Sequence, residues 1–196
     1  MNGAEIDELF MRLGRLVSAS KNKAGEGTEW NYTFPNGETH RYVIRGLKSH
    51  AEAEDSVFTL LIWIWNAKDY LKKRAVVLRT SGREVEKAVS DDDNLAICGD
   101  LANRLKHGGL DRPSRSGFNP RLGKVSFEAP QTVIGSLTFK AFEVEIGIDD
   151  PSQVTFRLPV LNDQDEEIVG MHSCMLTAQL VHWSAFATKS KERQQR

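Results

Sequence analysis

The stretch Val57-Phe58-Thr59-Leu60-Leu61-Ile62-Trp63-Ile64-Trp65 is the longest apolar run of the chain and is broken only by Thr59. It is about half of what a membrane-spanning helix needs, so it reads as core rather than as a span. Ser49 followed three residues later by Glu52 is a capping-box pattern, and it opens a helix predicted over about 50–74. The middle of that helix is apolar on every side, as in a helix wrapped by other elements. It is therefore expected to be the central core helix.

Upstream, Ile6, Leu9, Phe10, Leu13, Leu16 and Val17 recur at three- and four-residue steps, which predicts an amphipathic helix over about 4–18. Trp30, Tyr32 and Phe34 then alternate up to Pro35-Asn36-Gly37, and Tyr42 and Ile44 alternate beyond it. Residues 28–45 read as a β-hairpin closed at Asn-Gly. Downstream, Ser81 with Glu84 predicts a short helix over 82–89, and Ser90-Asp91-Asp92-Asp93 places acidic groups where a helix dipole favours them. That next helix should run to about 107 and stop at Gly108-Gly109; Leu60, Leu61, Ile64, Leu101 and Leu105 are expected between it and the 50–74 helix.

Residues 108–124 hold Gly108, Gly109, Pro113, Gly117, Pro120 and Gly123 and read as a loop. After it, Leu137 and Phe139 keep one parity while Phe142, Val144, Ile146 and Ile148 keep the other, which predicts a bulge near Ala141. Val154, Phe156, Leu158 and Val160 resume alternation, so about 124–161 reads as an antiparallel meander. Val169, Leu176, Leu180, Trp183 and Ala187 have helical spacing, and a terminal helix is predicted over about 166–190. The expected fold is α+β: a helical core at about 50–108, an N-terminal β-hairpin, a C-terminal antiparallel β-meander and a final helix, in one domain over 1–196.

Composition agrees with a globular domain. Of 196 residues, 40% are apolar and 27% charged, and 26 Lys and Arg stand against 27 Asp and Glu, a formal net charge of −1. No global field would drive such a molecule onto nucleic acid or anionic lipid, so any such binding must be local. Residues 1–10 show no basic region followed by an apolar run, so neither a secretory signal nor a membrane partner is expected, and the location read is cytoplasmic. Cys98 and Cys174 have no CxxC or Cys/His ligand spacing, so no metal site and no cofactor are expected. His172, Cys174 and His182 read as packing residues, because the two histidines lie about 15 Å apart along a helix.

The densest group of reactive side chains lies in the helix ending at residue 107. At 100° per residue, Leu95, Cys98, Leu101, Ala102 and Leu105 share one arc, while Asp100, Asn103, Arg104 and His107 gather opposite. A solvated helix face has the same pattern. What singles this one out is its chemistry, since His suits proton transfer near neutrality and Arg can neutralise a phosphate. The spacing lets Asp100 reach Arg104, and Asn103 reach His107. These four are the candidate catalytic residues.

The string Ile97-Cys98-x-Asp100-x-Ala102-Asn103-x-x-Lys106-His107, following a long apolar helix, resembles a segment of uncharacterised bacterial and phage-linked helical proteins, which are similar to HEPN-type domains. The resemblance covers roughly residues 50–108. It implies a nucleotide- or RNA-binding helical bundle, metal-independent ribonuclease-like chemistry if there is catalysis, and a site completed by pairing two copies. HEPN ribonucleases carry Arg and His four to six residues apart, whereas Arg104 and His107 here have only two residues between them. The literal spacing occurs instead at Arg45 and His50, where a strand is expected to meet a helix.

A second local signal overlaps the first. Residues 102–126 carry Arg104, Lys106, Arg112, Arg115, Arg121 and Lys124 against Asp111 alone, a local net charge of +5. Lys106, Arg112, Arg115 and Arg121 are the candidate phosphate-binding residues, with Phe118 offering a stacking face. Neither GxxxxGK[ST] nor GxGxxG is present. The expected function is a nucleic-acid- or nucleotide-interacting accessory protein of the defence kind, with RNA or DNA and a second copy as partners. The alternative is a non-enzymatic interaction or assembly module whose hairpin or meander pairs with a protein partner.

Overall fold

Residues 3–77, 81–110 and 113–170 are described in the computed structural model. Four helices precede most of the strands: α1 Gly3–Lys21, α2 His50–Val77, α3 Gly82–Ser90 and α4 Asp93–His107. Their ends are set by the residues that the patterns single out. Glu52 accepts hydrogen bonds from the backbone N–H and the hydroxyl of Ser49 (2.8 and 2.9 Å) and donates its own N–H to that hydroxyl, closing the capping box of α2. Ser81 caps α3, Asp92 accepts from Leu95 N–H at 2.9 Å to cap α4, and Gly108 ends α4 at φ +72°. A left-handed residue at that place is a normal helix terminator.

The chain divides into two compact units. The first comprises 1–20, 56–124 and 158–196, and the second comprises 21–55 and 125–157.

In the first unit, α1 buries Ile6, Leu9, Leu13 and Val17, and α2 buries Val57, Leu60, Leu61, Ile64, Trp65 and Leu71. Each such side chain contributes about 1.5–3 kcal/mol relative to exposure. The expectation that α2 is enclosed on every side is corrected: Phe58, Ile62 and Trp63 are only half-buried, and Trp63 is covered by the Arg12 guanidinium 4.5 Å from its ring centre. The cation caps an aromatic that further helix packing leaves open. Against α4, Trp65 lies over Gly99, and Asn66 accepts from Lys106 Nζ at 2.7 Å. Leu101 is buried as expected, while Leu105 is only half-buried.

Strands β1 Ala24–Thr33, β2 Thr39–Leu47, β3 Arg121–Leu122, β4 Ser126–Glu128, β5 Ile134–Lys140, β6 Glu143–Ile148, β7 Thr155–Arg157, β8 Pro159–Leu161 and β9 Glu167–Gly170 form three sheets. The four-stranded sheet of the second unit has the order β1-β2-β6-β5, with β2 and β6 parallel and the other pairs antiparallel. The predicted hairpin is its first half, turning at Gly37 with φ +88°. The segments expected as one meander are shared among three sheets: β5 and β6 join the hairpin, β4 pairs with β7, and β8 lies between β3 and β9.

Two further expectations change. No bulge lies at Ala141; Lys140 pairs with Glu143 across a two-residue turn, which switches parity by itself, and the irregular register is at Gly135. The terminal helix expected from 166 begins instead as β9, because Asn162 Oδ1 accepts from the N–H groups of Gln164 and Glu166 and turns the chain back antiparallel to β8. The rest of that predicted helix, with His172, Cys174 and His182, lies outside the described residues.

Candidate functional site

The glycine- and proline-rich segment after α4 is held by a single buried carboxylate. Asp100, 4% exposed, accepts from the hydroxyls of Ser114 and Ser116 (both 2.8 Å) and from the backbone N–H groups of Arg115 (3.0 Å) and Ser116 (2.8 Å). A buried charge is tolerated when its lone pairs are filled this way. The reading that sets Asp100 opposite the apolar arc and within reach of Arg104 is thereby corrected. Arg104 donates instead to Asn119 Oδ1 at 2.7 Å, and Asn119 Nδ2 donates to Asp163 at 2.5 Å. Arg104 Nε is buried without a hydrogen bond.

This clamp folds the loop over the end of α4 and leaves a cleft of about 410 Å³, lined by Trp65, Lys68, Asp100, Asn103, His107 and Arg115 together with residues 109, 110 and 113. That volume is in the range of small-ligand sites. Lys68 Nζ stands 4.0 Å from the centre of the Trp65 ring, and the Arg115 guanidinium carbon 5.3 Å from it. Trp65 is itself 7% exposed, so it serves as a platform for cations rather than for a stacked base. Glu86 on α3 ties the cations together, accepting from Lys72 at 2.7 Å and Arg115 at 3.1 Å, with Lys68 at 3.8 Å. Burial pushes the Glu86 pKa up, but the Lys72 hydrogen bond, the Lys68 charge and the Arg115 hydrogen bond outweigh it and hold the carboxyl below its usual range.

Of the expected catalytic group, Asp100, Asn103 and His107 share this cleft, whereas Arg104 is turned into the Asn119 contact. His107 is exposed, and its imidazole makes no hydrogen bond among the described residues. Of the expected phosphate-binding group, Arg115 lines the cleft, Lys106 is held by Asn66, and Arg121 is ion-paired with Asp165. Arg112 lies outside the described residues. Cys98 is inert, because burial pushes its thiol pKa up to about 12.

Sequence reasoning missed Trp65, Lys68 and Glu86. The available signal was Trp65-x-x-Lys68, since residues three apart on a helix are neighbours and a lysine so placed can lie on the ring. Among the described residues no group of three or more His, Cys, Asp or Glu could hold a metal ion, and no helix is long and apolar enough to cross a membrane. No family model, curated protein or solved structure matches the chain.

Proposed function

We propose that the protein interacts with nucleotides or nucleic acid, binding a phosphate in the cleft between α2, α4 and the 108–120 loop. This keeps the accessory, defence-type role and the HEPN-like core that the 50–108 resemblance implies. One observation carries the reading: two cations, Lys68 and Arg115, are seated on one buried Trp ring beside Asn103 and His107 in a cleft of ligand size. Pre-positioned cations and amide donors are what an anion needs from a site.

Binding of a dye-labelled mixed-sequence oligonucleotide to the full chain at 50 and 200 mM salt tests it. Affinity should fall with salt, the log-log slope steepening by about 0.7 per neutralised phosphate of a single strand. Lys68→Ala and Arg115→Ala should each weaken binding about tenfold. A blank at the lower salt overturns the reading.

A second reading, an assembly module that pairs with its own copy, is favoured by the four-stranded sheet. Trp30, Tyr42, Val144 and Phe139 form one row across it on a face free of charged side chains, and Phe139 is 70% exposed. Self-association that is present by sedimentation and reduced by Phe139→Ser, together with a blank in the oligonucleotide assay, would support it.

A further inference from the structure

Three cations converge on one carboxylate, and two of them, Lys68 and Arg115, line the cleft. Glu86 Oε1 faces Lys72 Nζ at 2.7 Å and Lys68 Nζ at 3.8 Å, and its Oε2 faces Arg115 at 3.1 Å. Lys68 Nζ also lies 3.7 Å from Asp69 Oδ1, so two carboxylates stand against the three cations and leave a surplus of one. Asp100, the carboxylate that lines the cleft itself, has its oxygens filled by four donors from the loop. An anion entering the cleft must therefore draw Lys68 and Arg115 away from Glu86, and only one that offers more charge than a carboxylate gains by the exchange.

We infer that the cleft selects a phosphomonoester, the terminal phosphate of a nucleotide or of a nucleic-acid chain, over an internal phosphodiester, and that Glu86 sets this preference. The inference rests on the phosphate-binding reading above. A phosphomonoester carries about −1.5 to −2 charge near neutrality and three acceptor oxygens, so it offers Lys68 and Arg115 more charge than the carboxylates they leave. A phosphodiester carries a single charge and merely replaces the carboxylate.

The surroundings agree with an end site rather than a track. Arg104, Lys106 and Arg121 donate to Asn119, Asn66 and Asp165 respectively, so these cations near the cleft are not lined up for successive phosphates. Lys68 has a side chain only 12% exposed, so it serves what enters the cleft and not what passes over the surface.

The test uses the full chain and one 3′-labelled oligonucleotide made with a 5′-phosphate or a 5′-hydroxyl, read by fluorescence anisotropy. The 5′-phosphorylated strand should bind at least tenfold tighter. Adenosine monophosphate and inorganic phosphate should displace it, and dimethyl phosphate, a monoanion, should not. Competition by the free nucleotide equal to or better than the strand identifies a nucleotide site; a clear excess for the strand identifies a chain-end site. Glu86→Gln, checked for native near-ultraviolet circular dichroism, should tighten the 5′-hydroxyl strand and reduce the ratio to below about threefold.

Equal binding of both strands to the unaltered protein, with Arg115→Ala still weakening both, overturns the selection and leaves the phosphate reading standing. An unchanged ratio in folded Glu86→Gln overturns the role of Glu86. The competitor comparison needs no variant, so the selection stays testable if Glu86→Gln does not fold. Failure of both strands to bind at low salt overturns both readings.

Discussion

Gly99 shows how one missing methyl builds the cleft. A Cβ there would lie 2.5 Å from Cζ3 and 2.8 Å from Cε3 of Trp65, closer than atoms can approach. Glycine in mid-helix costs about 1 kcal/mol relative to alanine, while overpacking a filled core costs about 1–3 kcal/mol. Sterics should therefore win, and Gly99→Ala is expected to destabilise the protein by about 1 kcal/mol net, read as a lower urea midpoint at unchanged slope. A more stable Gly99→Ala protein would show that the Trp65 ring has room to move. Because Lys68 and Arg115 rest on that ring, the same change should also weaken phosphate binding.

The elements divide by what closes them. In the sheet of the second unit Arg41, Glu143 and Lys140 are in register across β2, β6 and β5, and Glu29 on β1 reaches Arg41 diagonally, since the register partner of Arg41 there is Asn31. Arg41 is ion-paired with Glu29 and lies 2.9 Å from Glu143, and Lys140 is 2.6 Å from Glu143. The Lys140 hydrogen bond, foremost, and Arg41 hold the Glu143 carboxyl below its usual range, as Ser152 and Gln153 do for Asp150 and as the Ser49 N–H and hydroxyl do for Glu52. A carboxyl depressed in the folded state contributes stability above its unfolded pKa, and this is lost as pH falls through the folded value. Stability by urea denaturation should thus be nearly flat from pH 7 to about 5 and fall below about pH 4. Glu143→Gln should make that acid loss shallower, whereas an acid limb of unchanged steepness would remove Glu143 from the account. These pairs are exposed, so each effect is small and screened by salt.

At the scale of the molecule, neither unit is a continuous piece of chain. The order β1-β2-β6-β5 places β6, from the second half of the sequence, directly beside β2 from the first, and Leu47, Val133, Ile148 and Val154 form one buried cluster from both halves. A chain ending at residue 124 should therefore fail to form the hairpin's sheet. Two strands alone are marginal in water, so its NMR amide signals for residues 24–47 should lack the dispersion seen in the full chain. Native-like dispersion there would mean that the hairpin is stable without β6.

What could be read in the chain alone was local. The caps at Ser49, Ser81 and Asp92, the stop at Gly108 and the turn at Gly37 all follow from contacts within a few residues, and all four described helices are legible from their patterns. So was the importance of the segment around 100–107, since Asp100, Asn103 and His107 do share a cleft. Strand partnership was not legible, because alternation states which way side chains point and not which strand lies alongside; Val154–Val160 reads as one strand but splits at Leu158 between two sheets, with Pro159 lacking an N–H to continue the ladder. Nor could sequence show that Asp100 faces inward. Only the returning loop supplies the four donors that make a buried carboxylate tolerable, and only the packing of α2 and α3 brings Lys68 and Glu86 to Arg115. The tertiary structure decided the site, because its charges come from segments as much as 47 residues apart and only the packed chain brings them into ion-pair range.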